Sequence, residues 1–130
     1  MEPDLVARLL SDGGLSALVG NRINYLTRVQ GELLDAITIT QVSPGRAYTA
    51  SGPDGTHGTR VQFDIWSLRA ANAVAIFGAL CAAIEQPAAV GATVFQMSFL
   101  QSRRDTAEDV PGVGTVVRIS ADFLIWWNPA

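Results

Sequence analysis

The fold is decided by the stretch TRVQFDIWS at residues 59–67 and by the alanine-rich run that follows it. Apolar and polar side chains alternate along this stretch, which is typical of a β-strand with one buried face. Its outer face is predicted to carry Gln62, Asp64 and Trp66. Ser67 is then predicted to cap a helix from Leu68 to Ile84, because the apolar residues there recur at helical spacing.

Upstream of this strand, the sequence predicts one further helix and several short elements. The apolar spacing in Pro3–Leu10 is helical, and the glycines that follow Ser11 are typical of a helix end. A strong strand is predicted at Ala36–Ser43 from its alternating, β-branched composition. The weaker elements are, in chain order, an apolar turn over 15–20, a short strand over 21–26, a loop over 27–32, an edge strand over 46–49 and a glycine-rich turn over 51–58.

Downstream of the helix, two predicted strands flank a polar segment. The strands are Thr93–Leu100 and Thr115–Trp127, and residues 101–114 between them are too many for a tight hairpin turn. This segment carries both charge signs, in Arg103-Arg104-Asp105 and in Glu108-Asp109. It is either a solvated loop or an arm that becomes ordered against a neighbouring subunit, and we favour the arm.

Composition indicates one folded domain, residues 1–130, that does not bind nucleic acid as its main task. The chain is 48% hydrophobic and 16% charged, which excludes a disordered protein. Its net charge of −3 argues against a phosphate-binding surface, although all the basic residues are arginine. No apolar run reaches the ~18 residues that a membrane helix needs. The acidic start at Met1–Asp4 is unlike a secretory signal, so we expect the chain to stay where it is made.

The residues that could carry out catalysis are few, and the sequence therefore predicts no enzyme, no cofactor and no metal site. Phosphate-binding glycine loops and nucleophile motifs are absent from the sequence. The one histidine, His57, is expected to be a solvated residue in the glycine-rich turn, and the one cysteine, Cys81, a small apolar residue in the helix. Asp64 and Asp122 are expected to be solvated strand carboxylates.

Aromatic and charged residues on the outer faces favour an interaction surface instead. Trp66 and Trp126 fall on the polar sides of their strands, and tryptophan is enriched at interface hot spots. The alternative is that these rings fold back onto the protein's own core or lie under its loops. The candidate subunit or partner interface consists of Asp64, Trp66, Arg103, Arg104, Asp105 and Trp126.

The order of these elements resembles one protein family over nearly the whole chain. The pieces that carry the resemblance are the L-x-x-L-V-G-x-R-I segment at 15–23, the R-V-Q-F-D-I-W strand at 60–66 and the aromatic F-L-I-W-W strand at 123–127. In this order, with the loop at 52–55 and the alanine-rich helix, they resemble the tail-completion or tail-terminator proteins of long-tailed bacteriophages and of phage-like gene transfer particles.

The resemblance implies an α+β fold: a mixed, mostly antiparallel sheet with a long β-hairpin, packed on one face by two helices. It also implies a virion protein, assembled in the bacterial cytoplasm, that forms a ring of usually six copies at the head-proximal end of the tail. Its partners are then the tail tube protein and the head-side connector, and DNA passes through the ring without specific binding. The alternative is another neck protein, a stopper or head–tail joining protein, or a minor tail protein of the same particle.

Overall fold

The computed structural model describes residues 2–25, 35–43, 46–49 and 52–129. These ranges contain three helices and seven strands. None of these three helices is long and apolar enough to cross a membrane. The helices are α1 (Glu2–Leu10), α2 (Gly13–Val19) and α3 (Ala70–Ile84). The strands are β1 (Ile23–Tyr25), β2 (Ala36–Ser43), β3 (Arg46–Thr49), β4 (Gly52–Ser67), β5 (Ala88–Val90), β6 (Thr93–Val110) and β7 (Gly114–Pro129).

All seven strands belong to one sheet, which confirms the predicted fold class. The strand order is β1-β2-β4-β7-β6-β5, and β3 pairs with the first part of β4. The β1–β2 pair is parallel and the other pairs are antiparallel. The two long central strands, β4 and β7, are paired from His57 with Trp127 to Ser67 with Val117. The decisive stretch at 59–67 therefore lies in the middle of the sheet.

The core lies between the inner face of this sheet and the helices. The predicted inner residues of β4 are fully buried, and the rings of Phe63 and Phe123 meet edge to face at 5.7 Å. α1 contributes Leu5 and Leu9. The predicted apolar stripe of α3 is confirmed: Ala73, Ile76, Leu80 and Ile84 are buried, and Phe77 packs against them.

The helices differ from the sequence prediction in two places. Residues expected to form an apolar turn form α2, so three helices rather than two are present among the described residues. Asp12 caps α2 by accepting a hydrogen bond from the Leu15 amide at 2.9 Å, a role that the two following glycines obscured. α3 begins at Ala70, three residues after Ser67, and Arg69 rather than Ser67 occupies the N-cap position. The Ser67 hydroxyl donates to Asp35 (2.6 Å) and accepts from the Arg69 amide (3.1 Å).

The strands are longer than predicted. β4 begins at Gly52, so most of the expected glycine-rich turn is strand, and His57 is a strand residue. The segment at 101–114 is not a loop: β6 continues to Val110, a tight turn follows, and β7 starts at Gly114. This hairpin was hidden because the side chains of residues 101–109 are all exposed, which removes the apolar alternation that marks a strand. β5 was also missed, whereas the predicted loop at 27–32 lies outside the described residues.

Candidate functional site

The outer face of the sheet faces away from the helices and carries two rows of mostly polar side chains. The strand register places Asn24, Thr38, Asp64, Ser120 and Arg104 in one row across five neighbouring strands. The adjacent row carries Thr40, Gln62, Asp122 and Ser102. A sheet face with such rows is free to meet water or another protein, because the apolar faces of the helices are buried on the opposite side.

Asp64 is at the centre of this face and is buried, so the expectation of a solvated carboxylate there is wrong. It is only 5% exposed. Its Oδ1 accepts from the Ser120 hydroxyl at 2.6 Å and from Arg118 Nε at 3.1 Å. Gln62 Nε2 donates to both of its oxygens, at 3.1 and 3.0 Å. The carboxylate therefore holds together β4 and β7, and its neighbours shield it from solvent.

Trp66 and Arg118 form the exposed part of this network. The Trp66 indole donates to Thr38 Oγ1 at 3.1 Å, and the Arg118 guanidinium lies 5.0 Å from the centre of the ring. The side chain of Arg118 is 39% exposed, and its planar group stacks on an aromatic ring as arginine does at interfaces. The sequence did not single out Arg118. Only the cross-strand register, which places it opposite Trp66, could have identified it.

Trp126 lies further along the same face, against the backbone of β4. It is half-buried and opposite Gly58. A Cβ atom at Gly58 would lie 2.8 Å from the Trp126 ring, closer than carbon atoms approach. The glycine that was interpreted as part of a turn is thus a strand glycine that makes room for this ring.

The predicted arm, residues 101–114, is the end of the β6–β7 hairpin and carries the remaining candidate residues. Arg103 and Asp105 form a two-bonded ion pair, with both distances at 2.8 Å. The hydrogen bond from Arg103 lowers the pKa of Asp105 from its usual value. Arg103 also stacks on Phe77 of α3 at 4.4 Å, on the inner face. Arg104 points to the outer face, where it is the last member of the row that contains Asp64.

The two remaining candidate reactive residues have structural contacts. His57 stacks on Trp127 with ring centres 4.4 Å apart, and the Trp127 indole donates to Thr59 at 2.9 Å. His57 is therefore half-buried in a strand, not solvated in a turn. Burial, followed by the neighbouring Glu85, raises the pKa of Cys81 to about 11, so its thiol is protonated at neutral pH.

Two depressions are lined entirely by described residues. A depression of about 140 Å³ on the outer face is lined by Gln62, Ser102, Arg103, Arg104, Ser120 and Asp122. A second cleft, of about 270 Å³, separates the N-terminal half of α3 from the hairpin. Both are smaller than the ~300–1,000 Å³ of typical ligand pockets. In the described ranges, no group of three or more His, Cys, Asp or Glu residues is arranged to hold a metal ion.

Comparisons with known proteins give one family and one fold. The family model described as "Tail completion protein gp17" matches residues 3–126. Among solved structures, the chain is similar to a chain of the virion of the native gene transfer agent (GTA) particle, with a TM-score of 0.69 and 18% identity. That similarity covers 98% of this chain and 94% of the other. No curated protein sequence matches the chain significantly.

Proposed function

From the chain's membership of the tail completion protein gp17 family, we propose that it forms a ring at the head-proximal end of the tail. Members of this family are phage tail structural proteins. The ring ends growth of the tail tube and joins the tail to the head-side connector. Six copies are the expected number. The protein acts by binding other virion proteins and has no catalytic role.

The hairpin is the observation that carries this proposal. Residues 101–109 are exposed along their whole length, so this end of β6 extends past the core. The hairpin is held by long pairing between Ser102–Val110 and Gly114–Asp122, and the Arg103–Asp105 ion pair stiffens its side. A stiff, charged projection of this kind is suited to contact a neighbouring subunit, where arginine–carboxylate pairs fix the orientation.

A closed ring also needs a second patch, different from the first, on every subunit. The outer face supplies one, with the Arg118–Trp66 stack and Trp126 half-exposed among polar neighbours. Aromatic and arginine side chains of this kind dominate binding energy in protein interfaces. The proposed ring therefore places the hairpin of one subunit on the outer face of the next. The net charge of −3 per subunit is compatible with a channel in which DNA slides, since like charges repel phosphate.

The test is the mass in solution, measured by light scattering, of the protein alone and mixed with the tail tube protein of the same particle. We expect a mass near six subunits, or a ring that forms when the tube protein is added. A shortened hairpin lacking Glu108, Asp109, Thr115 and Val116 removes two complete cross-strand pairs and keeps the alternation of faces. It should fold normally and fail to form the ring.

The matched control is Ala17→Glu, which adds a charge to an exposed position of α2, away from both patches. This variant should form the ring as the unmodified protein does. Particles lacking the protein should have tails of abnormal length or tails unattached to heads. A monomer that ignores the tube protein and binds the connector instead would contradict the proposal and favour a stopper or joining protein.

A further inference from the structure

One edge of the sheet is open over most of its length. β5 pairs only with Thr93–Phe95, so from Gln96 to Val110 β6 has a neighbour on one side alone, namely β7, among the described strands. No described strand pairs with the backbone groups on the free side, and residues 101–109 are exposed. A long, uncovered strand edge of this kind is a template on which another strand can pair.

The matching partner is a second copy of β6. The other edge strands of this sheet that the structure describes are short: β1 and β5 have three residues and β3 has four. None of them offers an edge comparable with the free part of β6. A second β6 has the same length, and its charges decide the direction and register of pairing.

Two opposite charges on β6 lack partners within the described chain. Arg104 and Glu108 make no hydrogen bond or ion pair there. Both are on the outer face, because Arg104 pairs with Ser120 and Glu108 with Val116. Four residues along a strand separate them by about 13 Å, so they cannot meet within one chain.

We propose that the free protein forms a twofold dimer in which two β6 strands pair antiparallel about Thr106. This register places Arg104 opposite Glu108 of the second copy, twice, and Arg103 opposite Asp109 of the second copy, twice. Each pair joins residues on the same face, as a continuous sheet requires. Thr106 faces its own counterpart on the twofold axis.

Other registers do not match in this way. A shift by one residue places Asp105 opposite Glu108 of the second copy and joins inner with outer side chains. Parallel pairing in register places each charge opposite its own kind. The proposed register also brings Phe99 and Leu100, which are 50% and 45% exposed, beside the 111–113 turn of the second copy.

The dimer goes beyond the proposed ring, since it concerns the subunit before assembly. The same hairpin is the arm of the ring, so the dimer keeps the open edge covered until assembly begins. An isologous contact of this type closes on itself and does not propagate into fibres.

Disulfide trapping tests the register. In a Cys81→Ala background, Thr106→Cys should form a covalent dimer in mild oxidant, since the two Cα atoms lie about 4.5–5.5 Å apart across the axis. Gln101→Cys is the matched control on the same strand: its two copies are about 34 Å apart in this register and should remain uncrosslinked. Failure of Thr106→Cys to crosslink, or equal crosslinking of both variants, would overturn the proposal.

Charge reversal tests the pairing itself. Arg104→Glu and Glu108→Arg should each weaken the dimer about tenfold or more by sedimentation equilibrium, and the double variant should restore it. If the double variant dimerises as weakly as the single variants, the proposed register is refuted. Assembly with the tube protein, measured on the same variants, separates the two proposals. A ring without a prior dimer refutes only the dimer, and a dimer that never yields a ring refutes only the ring.

Discussion

Replacing Asp64 by alanine is expected to lower the free energy of unfolding by about 2–4 kcal/mol. The substitution removes the acceptor for Ser120, Arg118 and Gln62. A hydrogen bond to a charged group stabilises by ~1.5–3 kcal/mol, but two of these donors recover water in the variant. Arg118 has a 39% exposed side chain and Gln62 is half-buried. The buried Ser120 hydroxyl is left unsatisfied, and its loss forms the larger part of the effect.

The assay is urea unfolding followed by tryptophan fluorescence, at a fixed protein concentration and known mass because association adds stability. An unfolding entropy of ~2.1 cal/mol/K per residue converts the expected loss to a fall in Tm of about 7–15 °C. Asp122→Ala is the matched control. This carboxylate lies in the next row, is half-buried, and accepts from the exposed Ser102 at 3.0 Å, so its loss should cost less than about 1 kcal/mol.

A double-mutant cycle with Ser120→Ala isolates the shortest of these contacts. Asp64 and Ser120 should show a coupling energy of about 1–2 kcal/mol, because each loses its partner when the other is removed. Equal destabilisation by Asp64→Ala and Asp122→Ala, or additivity in the cycle, would refute the role of Asp64 as the polar centre of the sheet.

Three further predictions follow from contacts on and around the sheet. Gly58→Ala should lower the free energy of unfolding by about 1–3 kcal/mol, because the added methyl group meets the Trp126 ring. In a protein that already carries Trp126→Ala, the same substitution should cost less, and equal costs in urea unfolding would contradict the contact. Asp105 should titrate below its usual range by NMR, and Arg103→Gln should raise that pKa towards the ordinary value; an unchanged titration would contradict the ion pair. Cys81 should react slowly with a thiol reagent at pH 7 and faster only as the pH approaches about 11; fast reaction at pH 7 would show an accessible thiolate.

Elements with a buried face were predictable from the sequence. β2 has the predicted bounds, Ala36–Ser43, and α1 and the end of α3 lie where the apolar spacing placed them. Burial on one side forces a period of two or 3.6 on the apolar residues, and such a period can be read without the structure. The family resemblance, carried by the same stretches, is also confirmed.

Elements without a buried face were not predictable. The hairpin from 101 to 118 lies largely beyond the core, so both of its faces are polar or half-exposed and its pattern is that of a loop. α2 was missed because seven residues that begin with two glycines give little helical signal. The strand character of 52–58 was missed because glycine there serves the Trp126 ring across the sheet.

The candidate site divides in the same way. Trp66, Trp126 and the charged residues at 103–105 could be selected from the sequence, because large aromatics and mixed charges on polar faces are informative as residue types. The surroundings of these side chains in the folded protein could not be predicted from the sequence. Whether Asp64 was solvated or buried depended on Ser120 and Arg118, which are more than 50 residues away in the chain.

The sequence by itself determined the core-facing strands and helices, the family, and the shortage of reactive side chains. The tertiary structure decided which polar residues meet, that the 101–114 segment is a hairpin, and that one edge of the sheet is open. The physical reason is that burial of one face of a helix or strand imposes a pattern of apolar residues within a short stretch of the chain, and this pattern can be read from the sequence. Cross-strand register, in contrast, is a relation between distant segments, and it exists only once the sheet has formed.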